Sequence, residues 1–279
     1  MTASETFSDA VAALGIPASA RVDRRVPKPM LLEKAPTTTD RRLINERIEE
    51  VVWVARLRPD NVGIHAFFED DRDYREIAVL QLTVRAAKAA KTVKPTKTAS
   101  TRLFELVHRA IPYPVVLWSA NVGDASVEAP PLLTLAHKRV TQASGAIVID
   151  ELHNSTAEAA PSPERFSSFC SSLTIAQRPH ANLRDLYQGW IDCITALQVA
   201  VITSDSTAPT SAATAATQRD ALQQHARTLR ELARLRVAAG RESQINKRVE
   251  LNTAIKAAEA TLASLKAALT PTNCKEPRQ

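Results

Sequence analysis

Glu50, Asp60 and Glu76, three acids in the first third of a 279-residue chain, are of the type that holds a hard divalent cation. Metal-assisted phosphodiester hydrolysis needs two such carboxylates and a lysine on neighbouring strands, so that a bound Mg2+ activates water. The strongest strand-forming run should then close on an acid-x-Lys pattern. It reads Leu80-Gln81-Leu82-Thr83-Val84-Arg85 instead, with Gln81 where the acid belongs and Thr83 where the lysine belongs. A neutral amide cannot supply the charge that a hard cation demands. Hydrolysis through Glu50, Asp60, Glu76 and Mg2+ is therefore the alternative reading, and the main one has no catalytic set and no cofactor.

Other chemistries find little footing. The six histidines, at 65, 108, 137, 153, 180 and 225, have no i,i+4 partner of the zinc-protease kind. Glu151-Leu152-His153 reads as a surface loop. Cys170, Cys193 and Cys274 are far apart with no C-x-x-C pair, which excludes a zinc ribbon or a dithiol redox site and points to a reducing compartment. Cys170, beside Phe169, reads as a small buried side chain. No G-x-x-x-x-G-K-[ST] loop occurs among only six glycines, so a phosphate-cradling P-loop is absent. Aromatic residues make up 4% of the chain, too few for a broad stacking platform on single-stranded nucleic acid.

Cations are more suggestive. Arg85, Lys88, Lys91, Lys94, Lys97 and Arg102 fall between Glu76 and Glu105 with no acid among them. At three-residue helical spacing they would line one flank and could grip a phosphate backbone without reading sequence. A second group, Arg227, Arg230, Arg234, Arg241, Lys247 and Arg248, lies near the C-terminus. From Thr217 onward there are 12 Lys and Arg against 6 Asp and Glu, a net of +6, which equals the formal charge of the whole chain. The preceding 216 residues are neutral. Such a segment suits a phosphate backbone, an acidic partner or simply a wetted helix face.

The elements that would position these residues follow from periodicity. Residues 1–39, punctuated by Pro17, Pro27, Pro29 and Pro36, read as an irregular entry. Asp40 reads as the cap of a helix carrying Leu43, Ile44 and Ile48. The run Val51-Val52-Trp53-Val54 is strand-prone, and Arg58-Pro59-Asp60-Asn61 is a turn. Strands are expected over 62–68, 77–84, 115–118, 132–140 and 147–152, with an exposed acidic hairpin loop at 69–73. Helices are expected over 100–110 and 183–201. Trp53, Trp118 and Trp190 should be core. The result is an α/β (or α+β) globular domain with a mixed sheet over 1–203. An Ala/Thr/Ser linker at 204–216 follows it.

Beyond the linker the pattern changes. Leu251, Ile255, Ala258, Leu262, Leu265 and Leu269 alternate steps of four and three, the seam of an α-helical coiled-coil arm over 217–270. Leu222, Leu229, Leu232 and Leu235 mark a weaker stripe. Gly240 between them suggests an antiparallel hairpin, with one long helix as the alternative. Residues 271–279 read as a disordered tail. The seam could serve a partner helix or self-association. No apolar run reaches membrane-spanning length and Met1-Thr2-Ala3-Ser4-Glu5 opens no signal peptide, so a cytoplasmic chain is expected.

Several stretches in order carry a resemblance. They are Arg24-Arg25-Val26-Pro27-Lys28, Ile48-Glu49-Glu50-Val51-Val52-Trp53-Val54-Ala55-Arg56-Leu57-Arg58-Pro59-Asp60, Glu76-Ile77-Ala78-Val79-Leu80, Arg109-Ala110-Ile111-Pro112-Tyr113-Pro114, and the segment from Arg241 to Asn252 that includes Asn246-Lys247-Arg248-Val249-Glu250-Leu251. Together they resemble an uncharacterised prokaryotic family catalogued as domain of unknown function 4391. The resemblance implies an accessory role in restriction-type or phage-defence loci, beside a helicase or DNA-methyltransferase subunit; DNA as a further partner is the expectation drawn from the basic residues above. The order helix, strand, strand, helix, strand is also similar to the core of restriction-endonuclease-like nucleases, which gives the Mg2+ alternative its scaffold.

Overall fold

The computed structural model describes residues 3–69, 71–85, 97–122, 130–141, 146–155, 163–203 and 212–270. The chain divides into two compact units, Met1–Ile194 and Thr195–Gln279.

In the first unit the elements run α1 (Ala3–Ala12), β1 (Arg21–Arg25), α2 (Lys28–Glu33), α3 (Thr38–Arg47), β2 (Ile48–Leu57), α4 (Pro59–Val62), β3 (Phe67–Glu69), β4 (Arg72–Tyr74), β5 (Ile77–Arg85), α5 (Lys97–Ala110), β6 (Val115–Val122), β7 (Leu132–Val140), β8 (Ile147–Asn154), α6 (Pro163–Ser172) and α7 (Leu183–Thr203), whose last turns pass into the second unit. Six strands form one mixed sheet in the order β1-β2-β5-β6-β7-β8, and β3-β4 form a separate hairpin. Only β5 and β6 are parallel, because α5 carries the chain from one to the other. Both are covered on both faces: Val79, Leu80, Val116, Leu117 and Trp118 are fully buried. One face packs Ala78, Leu80, Leu82, Val115 and Leu117 against Leu31, Ile44, Leu103, Phe104 and Val107 of α2, α3 and α5. The other meets α6 and α7 through Trp118 against Phe166 and through Tyr187. The edge strand β1 is short, exposed and charged, which discourages edge-to-edge pairing. Its register shifts between Arg21 and Arg24, where Asp23 takes a positive φ of 46°.

Most expected strands and helices are present, with local corrections. The entry 1–39 is ordered in α1, β1 and α2, because Pro27 and Pro29 sit at a helix start where the missing N–H is not needed. Helix α3 is capped by Thr37, not Asp40: the Thr37 hydroxyl accepts from the Asp40 backbone N–H at 3.1 Å and donates to its carboxylate at 2.8 Å. Ile48 begins β2 directly, ending the helix at Arg47. The strand expected over 62–68 shrinks to Phe67–Glu69. Val62 closes α4, and Gly63, at φ 68°, caps that turn in the left-handed region. The acidic loop is narrower than read, with Glu69 opposite Arg72 across the hairpin. Glu151-Leu152-His153 lies in strand β8 instead of a surface loop.

The second unit contains α8 (Ala212–Arg241) and α9 (Ile245–Leu269), about 45 and 38 Å long. They form an antiparallel hairpin, joined across by Arg236 Nη2 to Glu259 Oε1 at 2.8 Å. Helix α8 starts inside the stretch read as linker, and residues 204–211 lie outside those described. The break falls at 242–244; Gly240 is helical, since a lone glycine costs only about 1 kcal/mol. Among the described residues no helix is long and apolar enough to cross a membrane.

Candidate functional site

The three acids of the hydrolytic reading stand apart. Glu50 faces Thr83 near the start of β2 and pairs with Arg25 at 3.3 Å. Glu76 precedes β5 at the opposite end of the same strand pair, where Arg56 holds it at 2.5 Å. The six residue steps along β2 from Glu50 to Arg56 correspond to about 20 Å. Asp60, on α4, is exposed and bonded to Arg58 at 2.9 Å. Each carboxylate therefore has an arginine where a cation would have to sit. Among the described residues no group of three His, Cys, Asp or Glu side chains could hold a metal ion. Glu76 is distinctive because it is 4% exposed and its Oε1 has no hydrogen-bond partner.

The basic set is reshaped by the fold. Lys88, Lys91 and Lys94 lie outside the described residues, as does the side chain of Lys97. Arg102 is committed internally: its Nε and Nη2 reach Asp40 at 2.9 and 3.0 Å, and its Nη1 reaches Glu105 at 2.9 Å. That fork holds the Asp40 carboxyl below the usual carboxylate range. Arg85, exposed at the end of β5, instead shares its surroundings with Lys28 and Arg25. The Lys28 pKa is lowered by partial burial and then by Arg85 and Arg25, with Glu49 opposing. This convergence follows from topology. The end of β1 runs down beside the start of β2, which lies next to the end of β5. Nothing in the spacing of residues 25, 28 and 85 could have announced it.

The seam residues Leu251, Ile255, Ala258, Leu262 and Leu265 are half-buried and Leu269 is buried, while the positions around them are mostly exposed. On α8, Leu232 and Leu235 are buried, Leu222 is half-buried and Leu229 is exposed. Burial and then the charge of Lys266 on α9 lower the His225 pKa. The seam thus has a partner helix inside its own chain.

Two polar constellations escaped the reading of the sequence. In the first, the Tyr74 hydroxyl bonds His137 Nδ1, His137 Nε2 bonds Gln188 Oε1 at 2.8 Å, and Gln188 Nε2 donates to Asp192 at 2.8 Å. Because the Gln188 amide nitrogen is used on Asp192, its oxygen must accept from His137 Nε2–H. Nδ1 then accepts from Tyr74, and the imidazole is satisfied while neutral. Burial, together with His153, Arg72 and Arg184, lowers its pKa to about 4. Burial pushes the Tyr74 hydroxyl up to about 12.

In the second, Lys138 is buried on β7 with Nζ donating to the carbonyls of Ile111 at 2.9 Å and Tyr113 at 2.5 Å. Pro112 and Pro114 remove two donors from this I-P-Y-P turn, and the lysine supplies them. Desolvation lowers its pKa well below the ordinary value. His108, also buried, bonds Thr134 Oγ1 at 3.2 Å. Where the β6–β7 ladder ends at Leu117 and Thr134, the Tyr187 hydroxyl fills the next position. It accepts from Ala136 N–H at 2.8 Å and donates to Val115 O at 2.7 Å. Both constellations brace the central strands; pairings over 25 or more residues leave no local signal. Cys170 is buried with its thiol pushed up to about 12, consistent with a packing role.

Comparison with known proteins yields no match to any curated protein and none to any solved structure. The model of a domain of unknown function, DUF4391, matches residues 14–262, from the end of α1 to within the last two turns of α9 and across both units. A match of that extent makes this chain a member of the DUF4391 family.

Proposed function

We propose that this chain is a non-catalytic, cytoplasmic accessory subunit of a prokaryotic restriction-type or phage-defence system. It docks through its C-terminal helical hairpin onto a helicase or DNA-methyltransferase subunit. The observation that carries the reading is the division of labour between the units. Residues 217–279, which include most of the hairpin α8–α9, contain the entire net charge of +6, while residues 1–216 are formally neutral. A cationic pair of helices in a chain whose other residues are formally neutral is suited to binding an acidic macromolecule. The individual arginine partners of Glu50, Asp60 and Glu76 favour this over Mg2+-dependent hydrolysis.

DNA contact is the second part of the proposal. Lys28 and Arg85 converge at one end of the sheet, and they replace Arg102 in the set that would meet a phosphate backbone. Co-expression with the neighbouring helicase or methyltransferase subunit tests the docking. Full-length chain should co-purify with it and a chain lacking residues 212–279 should not; equal recovery of both would refute the reading. Binding to a short duplex, measured against salt, tests the DNA contact. Neutralising Lys28 and Arg85 should weaken affinity and make the salt dependence shallower by up to about one per lost phosphate contact.

A further inference from the structure

We infer that the outward face of α8 is a second contact surface for duplex DNA, which lies with one phosphate backbone along a row of arginines running from Arg219 to Arg241. The inference rests on the DNA contact proposed above. It adds a surface on the hairpin to the one at Lys28 and Arg85.

A helix turns by about 100° per residue, so the side of α8 on which each residue lies follows from its position. Buried Leu232 and Leu235 mark the side that packs within the hairpin. Nearly opposite, about 150° away, positions 219, 223, 227, 230, 234, 237 and 241 share an arc of about 80°. Five of these seven are arginine, and the others are Gln223 and Val237. Arg227, Arg230, Arg234 and Arg241 are exposed. Glu231, on the flank, holds Arg234 at 2.8 Å, and Arg230 Nε bonds Ala226 O of its own helix at 3.2 Å. Among the described residues no carboxylate pairs with Arg227, Arg230 or Arg241. Helix α9 shows no such sorting: Lys247, Arg248, Lys256 and Lys266 are spread over about half its circumference.

The composition of this face selects its occupant. A protein interface draws its affinity from a desolvated apolar centre, and Val237 is the sole large apolar side chain in the arc. A second copy of the chain would set arginine against arginine. Single-stranded nucleic acid needs aromatic platforms, whereas residues 212–270 contain no Phe, Tyr or Trp. An RNA duplex is held in large part through its 2′-hydroxyls, for which Gln223 is the sole uncharged polar side chain in the arc. The DNA backbone fits on three counts. All six basic residues of α8, histidine aside, are arginines, whose planar fork grips phosphate oxygens two at a time. The row from Arg227 to Arg241 is about 21 Å long, which matches about six phosphates of one strand. Affinity then comes from released counterions, so no apolar centre is needed.

The test uses the full-length chain and a short DNA duplex, with affinity measured against salt. Arg227→Gln, Arg230→Gln and Arg241→Gln together change exposed positions only and introduce a good helix former, and unchanged helical circular dichroism would verify the fold. A control triple, Lys247→Gln, Arg248→Gln and Lys256→Gln, removes the same charge from exposed positions of α9. The α8 triple should lower duplex affinity at least tenfold and make the salt dependence shallower by about two to three, at about 0.9 per lost phosphate contact. The α9 triple should change affinity far less. Equal losses in the two triples would mean that affinity follows net charge alone and would overturn the face as a site. Wild-type binding that the α8 triple leaves unaltered would also overturn it, while sparing the contact at Lys28 and Arg85. A wild type that binds no duplex removes both. Two comparisons check the occupant. An RNA duplex bound more tightly than DNA would overturn the inference. So would an α8 triple that keeps its duplex affinity but no longer co-purifies with the neighbouring subunit, since the face would then belong to a protein.

Discussion

Tyr187 shows how one hydroxyl can close a gap in a sheet. At the end of the β6–β7 ladder it satisfies one backbone donor and one backbone acceptor that would otherwise be buried without partners. Tyr187→Phe keeps the ring and removes only that oxygen. It should cost about 1–3 kcal/mol, read as a lower midpoint in urea with an unchanged slope. His137 makes a second prediction at this scale. Its pKa is lowered to about 4 in the fold, whereas an unfolded histidine titrates near 6.5. Between those values the unfolded chain binds the extra proton, so the contribution is fully present above about pH 6.5 and is lost as pH falls toward 4. The window corresponds to about 3 kcal/mol. Denaturation at pH 7 and pH 4.5 should show His137→Gln with a smaller pH dependence than wild type. Some dependence will remain, because buried His108 is shifted in the same direction.

Elements are held to one another by a few charged and capping groups. Thr37 ties down the first turn of α3, and Thr37→Ala should cost about 1 kcal/mol by losing the bond to the Asp40 N–H. The same helix is clamped to α5 by Arg102 and Asp40. Arg102→Ala should therefore lower thermal stability yet leave duplex affinity unchanged, whereas Lys28→Ala should do the reverse. Equal loss of duplex affinity in both would place Arg102 back in the contact set. In the sequence these residues differ little. Arg102 belongs to an acid-free run with Lys88 to Lys97, while Lys28 is embedded among prolines. Only packing shows which cation is already neutralised.

For the whole molecule, the two units can be monitored separately because all three tryptophans, Trp53, Trp118 and Trp190, lie in residues 1–194. Leu235, 7% exposed on α8, packs in the other unit. Leu235→Ala should cost about 2 kcal/mol or more there. Its helical signal at 222 nm should melt earlier, while tryptophan fluorescence keeps the wild-type midpoint. A common shift in both signals would show that the units unfold as one.

The amino-acid sequence by itself determined strands over 77–84, 115–118 and 132–140 and helices over 100–110 and 183–201, each of which lies inside an observed element, while the break between the two terminal helices, read at Gly240 with one long helix as the alternative, fell at 242–244. Their signals are local: β-branched runs, apolar residues at helical spacing, and proline or polar punctuation. It also determined that the positive charge gathers at one end, since charge is counted without coordinates. Tertiary structure decided what each charge does. Glu50 and Glu76 fall at opposite ends of one strand pair, and Lys28 meets Arg85 although 57 positions separate them. Tyr74, His137 and Gln188 assemble from β4, β7 and α7. Periodicity reports which face of an element is buried, but the neighbours of a polar side chain are set by strand order and register, which pairing across the whole chain establishes.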